Sequence, residues 1–251
     1  MNAPALSFPT DRAVWITWYD LPEAGRDDYF AWLHGSYLPA LLRRPGYLWA
    51  AHYASVPKQT MSTMRREGTL TNTKDPTVPA GYRYILIVGG RDTAAFGACT
   101  PGELHRQLPD ADRKRLAMRI GERVNVMVEA ARVEGPAAAG YSGGMALAPC
   151  IQMGSFNCAP DMEEEMLGFY AQCRMDAMTR LPGCIRTRKL ASVAGWAKHA
   201  ILYEFESLDA RNRYFTHHED ENPVATEWGD RVVSALTHAP GSANLATRLW
   251  P

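Results

Sequence analysis

Large hydrophobic residues alternate along residues 13–21, AVWITWYDL, and they occupy both sides of the chain. Val14, Ile16 and Trp18 share one face of an extended backbone, and the residues between them are almost as large. Strands that are covered on both faces have this pattern, because neither face has to be polar. The sequence therefore predicts a buried strand here.

The periodicity becomes helical after residue 22. Four apolar residues recur at spacings of three and four, on one stripe of a helix: Phe30, Leu33, Tyr37 and Leu41. Pro39 lies within this stripe and removes a backbone donor, so we expect the helix to kink or shorten there. Pro45 and Gly46 end the helix, and residues 47–55 return as a strand rich in aromatic side chains.

The remaining pattern alternates between strands and helices. Further strands are predicted at 82–88, 124–133, 150–158, 184–193, 198–206 and 245–249. Further helices are predicted at 92–96, 101–108, 111–120, 161–180 and 207–217, the last capped by Ser207. Residues 57–81 have no periodicity and are expected to form a long loop. Residues 219–240 give no clear pattern.

The chain resembles itself when it is shifted so that residue 43 aligns with residue 180. This shift is called the repeat offset below. Six identities coincide without a gap: Arg43, Pro45, Gly46, Ala54, Ser55 and Val56 with Arg180, Pro182, Gly183, Ala191, Ser192 and Val193. Self-similarity at a fixed spacing indicates repeated structural units. We therefore expect one unit at 1–135, a small-residue linker at 136–149, and a second unit at 150–251.

Each unit has the order strand, helix, strand, strand, helix, strand. This order predicts an α+β fold of two ferredoxin-like βαββαβ units, each a four-stranded antiparallel sheet with helices on one face. The bare face would carry Trp49, Arg186 and Arg188, and packing it against the other sheet would bury it. The expected product is a barrel-like sandwich with a cavity between its two sheets.

Composition narrows the range of partners. Twenty-seven basic and twenty-seven acidic residues cancel and are spread along the chain, so we expect neither nucleic acid nor anionic lipid as a partner. Five cysteines without a CxxC pair argue against a disulfide framework or a structural zinc site. The N-terminal residues lack a signal pattern, and no apolar run approaches the ~20 residues of a membrane span. We expect a cytoplasmic protein that binds a small molecule.

The segments YFAWLHGSYLPALLRRPGYLWAAHYAS, FYAQCRMDAMTRLPGCIRTRKLAS and AILYEFES resemble the dimeric α+β barrel superfamily, in particular its EthD-like members. The resemblance implies a fused tandem version of a fold that elsewhere forms by dimerisation, with a ligand between sheet and helices. It leaves open whether two fused chains pair again as a homodimer. Many members carry a histidine two residues before a helix proline. Here Tyr37 and Arg174 occupy the two corresponding positions, and His34 lies one turn earlier.

These positions supply the candidate chemistry. His34 is the candidate general base, because imidazole titrates near neutral pH, and Tyr37 is the candidate donor to a developing oxyanion. Unpaired buried charge is costly, so buried arginines need either a ligand carboxylate or protein carboxylates such as Glu204 and Asp176. The substrate-binding candidates are Arg174, Arg186, Arg188, Trp49 and Glu204.

Taken together, the residues predict a cofactor-free lyase or isomerase acting on a small aromatic or unsaturated carboxylated metabolite. A cofactor-free or haem-dependent oxidoreductase is the alternative, with His52 or His199 as the haem ligand. A non-catalytic binding protein is a further alternative. A metal site would use the polar cluster at 217–220 with a distant histidine.

Overall fold

The computed structural model describes residues 11–57, 70–140, 148–216, 218 and 223–251. Its strands alternate in sequence with short helices, as the periodicity predicts. The strands are β1 (Ala13–Asp20), β2 (Tyr47–Ser55), β3 (Thr71–Asn72), β4 (Tyr84–Gly90), β5 (Ile120–Glu134), β6 (Cys150–Cys158), β7 (Cys184–Ala194), β8 (His199–Phe205), β9 (Leu236–His238) and β10 (Asn244–Trp250).

Eight of these strands close into a barrel. Their order is β10-β2-β4-β1-β5-β7-β8-β6, and the ring closes because β10 also pairs with β6. Every neighbouring pair around the ring is antiparallel. β9 pairs with the end of β6 beyond β10, and β3 pairs with β9 in parallel. The prediction of a mixed fold built on an antiparallel, barrel-forming sheet is confirmed.

The two halves of the ring have the same internal order. Around the ring, the first half contributes β2-β4-β1-β5 and the second half contributes β7-β8-β6-β10. If the four long strands of each half are numbered in chain order, both halves have the spatial order 2-3-1-4. The halves join where β5 pairs with β7 and where β10 pairs with β2.

The helices lie against the outer face of the barrel, where they share one apolar core with the first sheet and another with the second. Among the described residues, no helix is both long and apolar enough to cross a membrane. The helices are α1 (Arg26–Trp32), α2 (Leu38–Leu41), α3 (Ala94–Gly97), α4 (Pro101–Gln107), α5 (Asp110–Leu116), α6 (Glu163–Phe169), α7 (Met175–Met178), α8 (Leu208–Ala210) and α9 (Pro223–Ser234).

The inside of the barrel is filled with side chains. Trp18, Tyr53, Met127 and Leu202 belong to an apolar cluster in which both halves of the ring take part. Trp49 packs there with them, and the face on which it lies is buried, as the sequence predicts. The expectation of a cavity between the two sheets is wrong, because these large residues occupy the space.

A π-helical turn interrupts each of the two long helices at the same place. Leu33–Tyr37 joins α1 to α2, and Tyr170–Arg174 joins α6 to α7, so the two turns are related by the repeat offset seen in the sequence. The predicted irregularity near Pro39 is therefore present. However, the second turn forms where Asp176 replaces the proline, so the proline is not its cause.

Three local predictions have different outcomes. The Ser207 hydroxyl accepts a hydrogen bond from the Ala210 amide at 3.0 Å, which confirms the predicted cap. The patternless region 219–240 contains α9 and β9, two elements that sequence reasoning missed. Much of the predicted loop at 57–81, together with part of the linker, lies outside the described residues, whereas the linker residues Pro136–Gly140 form a 3₁₀ turn.

Gly183 follows the second long helix in a left-handed backbone conformation, with φ of 74°. A Cβ atom added there would lie 2.5 Å from the Ala210 Cβ atom, so alanine is excluded by both backbone and neighbour. Gly46, its counterpart in the first half, has φ of 83°. We expect Gly183→Ala to lower the free energy of unfolding by about 1–3 kcal/mol, measured by urea denaturation.

Gly35→Ala is the matched control. Gly35 lies within the first π-helical turn, and an added Cβ would have no neighbour within 4 Å. Alanine is expected to stabilise the protein there by roughly 0.5–1 kcal/mol, because it restricts the unfolded chain. Equal losses from both substitutions would contradict the conformational argument.

Candidate functional site

A cavity of about 320 Å³ lies on the outer face of the second sheet, between the strands and the helices. Its floor is formed by β6 and β8, and its walls by the second π-helical turn, by β9 and by the connection from β9 to β10. Residues from the ends of β2 and β4 close one side. The volume is at the lower end of the range for small-molecule sites, which is about 300–1,000 Å³.

The cavity exists because two strand positions lose bulk in the second half. At the repeat offset, the buried Trp15 and Thr17 of β1 correspond to Gln152 and Gly154 of β6. Gly154 has no side chain, and even a methyl group there would lie 3.1 Å from Ile201. The first half fills the same layer with its own aromatic side chains.

Arg174 places a buried positive charge in the cavity wall. It is the last residue of the second π-helical turn and is only 7% exposed. Its Nη1 donates a hydrogen bond to the Tyr203 hydroxyl at 3.2 Å, and its guanidinium lies 5.4 Å from the Phe169 ring centroid. The candidate anchor Arg174 therefore lies where a ligand with negative charge would be stabilised.

His238 faces the same cavity from β9. It is 5% exposed, and its Nδ1 atom has no hydrogen-bond partner in the described part of the chain. Burial lowers the pKa of His238 to about 4, although a hydrogen bond with the Thr71 backbone partly offsets this effect. The imidazole is therefore neutral near pH 7, and a ligand group can bond to Nδ1.

Asn244 adds a second polar atom at the cavity. Its side-chain nitrogen donates to the Tyr82 carbonyl at 3.4 Å, whereas its buried Oδ1 has no partner among the residues described. Unpaired buried polar atoms are rare in proteins and call for an explanation, such as a water molecule or a ligand. Two such atoms at one cavity, beside a buried guanidinium, mark this cavity as the candidate site.

Four of the candidate binding residues lie elsewhere, inside the barrel. The Arg188 guanidinium donates to Glu204 at 3.0 Å and to Asp11 at 2.8 Å, and Glu129 lies 3.6 Å away. Arg186 pairs with Glu134 at 2.9 Å and lies 3.9 Å from Glu204, while the Trp49 indole donates to Asp11 at 3.1 Å. None of the four lines the cavity.

The structure thus decides between the two partners that the sequence allowed for Arg188. Arg188 forms ion pairs with protein carboxylates, and Glu204 is one of them. Asp176, the other carboxylate considered, pairs with Arg180 on the surface. Burial alone would lower the pKa of Arg188, but the three nearby carboxylates raise it above its usual value. Arg186, Arg188, Glu204 and Trp49 therefore form part of an internal ionic network.

His34 and Tyr37 lie in the first half and bond to different partners. His34 Nε2 is 2.9 Å from His52 Nδ1, and the other nitrogen of His52 is 2.8 Å from the Tyr19 hydroxyl. The Tyr37 hydroxyl bonds to His105 at 3.0 Å. Their assignment as base and donor stays a prediction, and neither residue lines the cavity of the second half.

The alternatives with a metal ion or haem have a weaker structural basis. Among the described residues, no group of three or more histidine, cysteine, aspartate or glutamate side chains could hold a metal ion. Most of the polar cluster at 217–220 lies outside those residues. Both nitrogens of His52 are engaged, and His199 lies 3.5 Å from Glu163. Neither histidine opens into the cavity.

No protein-family model and no curated protein matches the sequence. Similar solved structures include an anthrone oxidase-like protein, with a TM-score of 0.63, 11% identity and coverage of 96% of this chain and 92% of the other. A proposed monooxygenase from Fusobacterium nucleatum has a TM-score of 0.56 and 8% identity, and the match covers 96% of this chain and 94% of the other. A proposed chlorite dismutase has a TM-score of 0.52 and 12% identity, and the match covers 96% of each chain.

At such low identities the likeness to these structures shows the fold alone. The likeness supports the expected mixed fold of helices on an antiparallel sheet.

Proposed function

We propose that this protein is an oxidoreductase that uses dioxygen, without a cofactor, to oxidise a small aromatic compound with an acidic C–H or phenol group. The observation that carries the proposal is the neutral, buried His238, which lines the same cavity as Arg174 and whose Nδ1 has no hydrogen-bond partner among the described residues. A base and a cation at one apolar cavity can produce and stabilise an anion.

The proposed reaction begins with proton transfer. Nδ1 of His238 takes a proton from the substrate, and Arg174, with Tyr203 beside it, stabilises the resulting oxyanion by charge and hydrogen bonding. The electron-rich anion then reduces dioxygen directly. For a methylene substrate, the balanced result is that one CH₂ group and one O₂ become one carbonyl group and one water. The protein supplies binding, a proton acceptor and exclusion of water.

The same residues do not fit a haem. The cavity is small even for a site that binds ordinary organic ligands, and a porphyrin is larger than most of these. A haem also needs an axial ligand. Among the described residues that line the cavity, the one histidine lies in the wall beside the Phe156 ring, at 5.5 Å between centroids. No step of the proposed reaction depends on such a group.

We also propose that the chain arose by tandem duplication of a ferredoxin-like unit, with units at 1–135 and 150–251. The shared strand order, the π-helical turns at one offset and the paired left-handed glycines support this proposal. One copy then kept a filled layer between sheet and helices, and the other opened a cavity. Pairing of two such chains as a homodimer stays a prediction.

The proposed function is tested by oxygen consumption at neutral pH, with anthrone and with a naphthol as probes. We expect wild-type protein to consume one O₂ per molecule of ketone formed from anthrone. Arg174→Met is expected to raise KM about tenfold or more, because a charge-assisted hydrogen bond contributes about 1.5–3 kcal/mol.

Arg180→Met is the control, since Arg180 pairs with Asp176 on the exposed side of the same helical region. Its KM should equal that of the wild type. Conversion of the probes in the absence of dioxygen would contradict the oxidoreductase proposal and favour the lyase or isomerase prediction. Equal KM values for both variants would remove Arg174 from the site.

A further inference from the structure

Lys189 is a buried lysine whose amine has no polar partner among the described residues. It lies on β7, is 5% exposed, and makes no hydrogen bond or ion pair in the part of the chain that the structure describes. Its Nζ atom lies 5.4 Å from the ring centroid of Phe156 and 5.1 Å from that of Tyr170. Lysine is almost never buried unless it is paired, so this environment requires an explanation.

The first half shows what the position looks like with its partners in place. At the repeat offset, Lys189 corresponds to His52, which is bonded to both Tyr19 and His34. The residues that correspond to those two partners are Phe156 and an alanine, and neither can form a hydrogen bond through its side chain. The second half therefore keeps a polar group at this position and lacks the partners that satisfied it.

Lys189 lies directly beside the candidate site. It pairs across the sheet with Ile201, which in turn pairs with Gly154, so that the three residues form one row on the helix-facing side. Ile201 and Gly154 are part of the cavity floor. Tyr170, whose ring covers the amine, is part of the cavity wall. The amine therefore lies against a residue of the cavity wall.

Burial favours the neutral form of this amine, whereas the nearby charges favour the protonated form. The titratable groups near Lys189 are Cys158 on β6, Glu163 at the start of α6 and His199 on β8. Glu163 is already engaged by Lys198 and His199. Burial lowers the pKa of Lys189 to about 8, and the effects of Cys158 and Glu163 only partly oppose this. With a pKa of about 8, about a tenth of the amine is unprotonated at pH 7.

We propose that Lys189 is a nucleophile that forms an imine with an aromatic aldehyde or ketone bound in the adjoining cavity. Buried, neutral lysines are the form in which this side chain reacts with carbonyl compounds. This activity goes beyond the proposed oxidation, and it does not depend on dioxygen.

The covalent step balances within the two reactants. The Nζ lone pair forms a bond to the carbonyl carbon, the C=O π bond breaks, and a proton moves from nitrogen to oxygen, which gives a carbinolamine. The hydroxyl group then leaves as water together with the remaining N–H proton, and the nitrogen electron pair forms the C=N bond. No electrons enter or leave, so neither an oxidant nor a reductant is needed.

The test is reductive trapping on the wild-type protein without dioxygen. The probe is 4-carboxybenzaldehyde with sodium cyanoborohydride, followed by peptide mapping of all five lysines, Lys58, Lys74, Lys114, Lys189 and Lys198. Near pH 7, we expect Lys189 to be labelled about tenfold or more faster than any other lysine, since ordinary lysines have pKa values near 10.4. Its labelling should be half-maximal near pH 8.

Two comparisons decide whether the aldehyde reaches Lys189 from the cavity. Arg174→Met should slow labelling by the carboxylated probe but not by benzaldehyde, which has no group for the arginine. Lys189→Arg should abolish the fast label and leave the four other lysines unchanged. Labelling that follows exposure, with Lys189 unmodified, would overturn the proposal, as would equal rates at all five lysines. Equal behaviour of both probes in Arg174→Met would overturn the route through the cavity.

Discussion

His238→Gln is expected to lower kcat/KM for the oxygen-dependent reaction by about 10²–10⁴-fold, the usual contribution of a general base. Glutamine has a similar polarity and can still form a hydrogen bond with the Thr71 backbone, but it cannot accept a proton at neutral pH. The ring packs against Phe156 in the wild type, so a modest loss of stability is also expected. Thermal unfolding measured on the same samples separates the two effects.

The pH profile gives an independent check of this role. Because the pKa of His238 is lowered to about 4, the base is already neutral at pH 5 and above. The wild-type kcat/KM should therefore be flat on its acid side down to about pH 5 and should fall about tenfold per pH unit below about pH 4. A descending limb centred near pH 6.5, the value for an ordinary exposed histidine, would exclude His238 as the base.

His34→Gln is the matched substitution in the other half. His34 bonds to His52 and is half-buried, but it does not line the cavity. If catalysis takes place in the second half, this variant should retain wild-type kcat/KM. The reverse result, with His34→Gln inactive and His238→Gln active, would support the sequence-based assignment of His34 as base and would reject the cavity as the active site.

The architecture could be predicted from the sequence because its signals are local. Strand β1 shows apolar residues on both faces, and the two Pro-Gly turns have the same spacing to the strands that follow them. The pairing of Arg188 with Glu204 was also within reach, since β7 and β8 are consecutive strands of one antiparallel pair. Asp11 was not, because 177 residues separate it from Arg188.

Apart from Arg174, the candidate site was not predicted, because the cavity forms where the second half has smaller side chains than the first. The repeat offset places Gln152 and Gly154 opposite two buried residues of the first half, and this loss of bulk was a usable signal. His238 gave no such signal. It lies on β9, a strand of three residues that pairs with β6 and with β3, two strands from distant parts of the chain. Periodicity cannot identify an element so short.

The lyase or isomerase prediction was derived from His34, Tyr37 and a carboxylate anchor at Arg186 or Arg188. The structure places this anchor inside the barrel, where protein carboxylates neutralise it. Of the predicted binding residues, only Arg174 lines the cavity. A function derived from residue types alone therefore combined groups from three separate regions of the molecule.

Arg188→Met is expected to lower the free energy of unfolding by about 3–5 kcal/mol, because removing one partner of a buried ion pair leaves the others uncompensated. The side chain is fully buried, and it neutralises Asp11 and Glu204 directly. Urea denaturation followed by tryptophan fluorescence measures the loss. Arg180→Met removes an exposed ion pair and should change the free energy of unfolding by no more than about 1 kcal/mol.

The dependence on pH distinguishes lost charge pairing from lost packing. Burial would raise the pKa of Asp11, but Arg188 and Arg132 lower this pKa below its usual value. In the wild type, ionised Asp11 therefore stabilises the fold at pH values above the usual pKa of an aspartate, and this stabilisation is lost as the pH falls through the lowered pKa. In Arg188→Met, the carboxylates that lose their partner bind protons more readily, and protonation removes their uncompensated charge. Acid should therefore stabilise the variant relative to the wild type. The difference in unfolding free energy should therefore shrink between about pH 7 and pH 4, and Arg188→Met/Glu204→Gln should recover part of it at neutral pH. A difference that is constant across this range would mean that Arg188 stabilises the barrel through its packing alone.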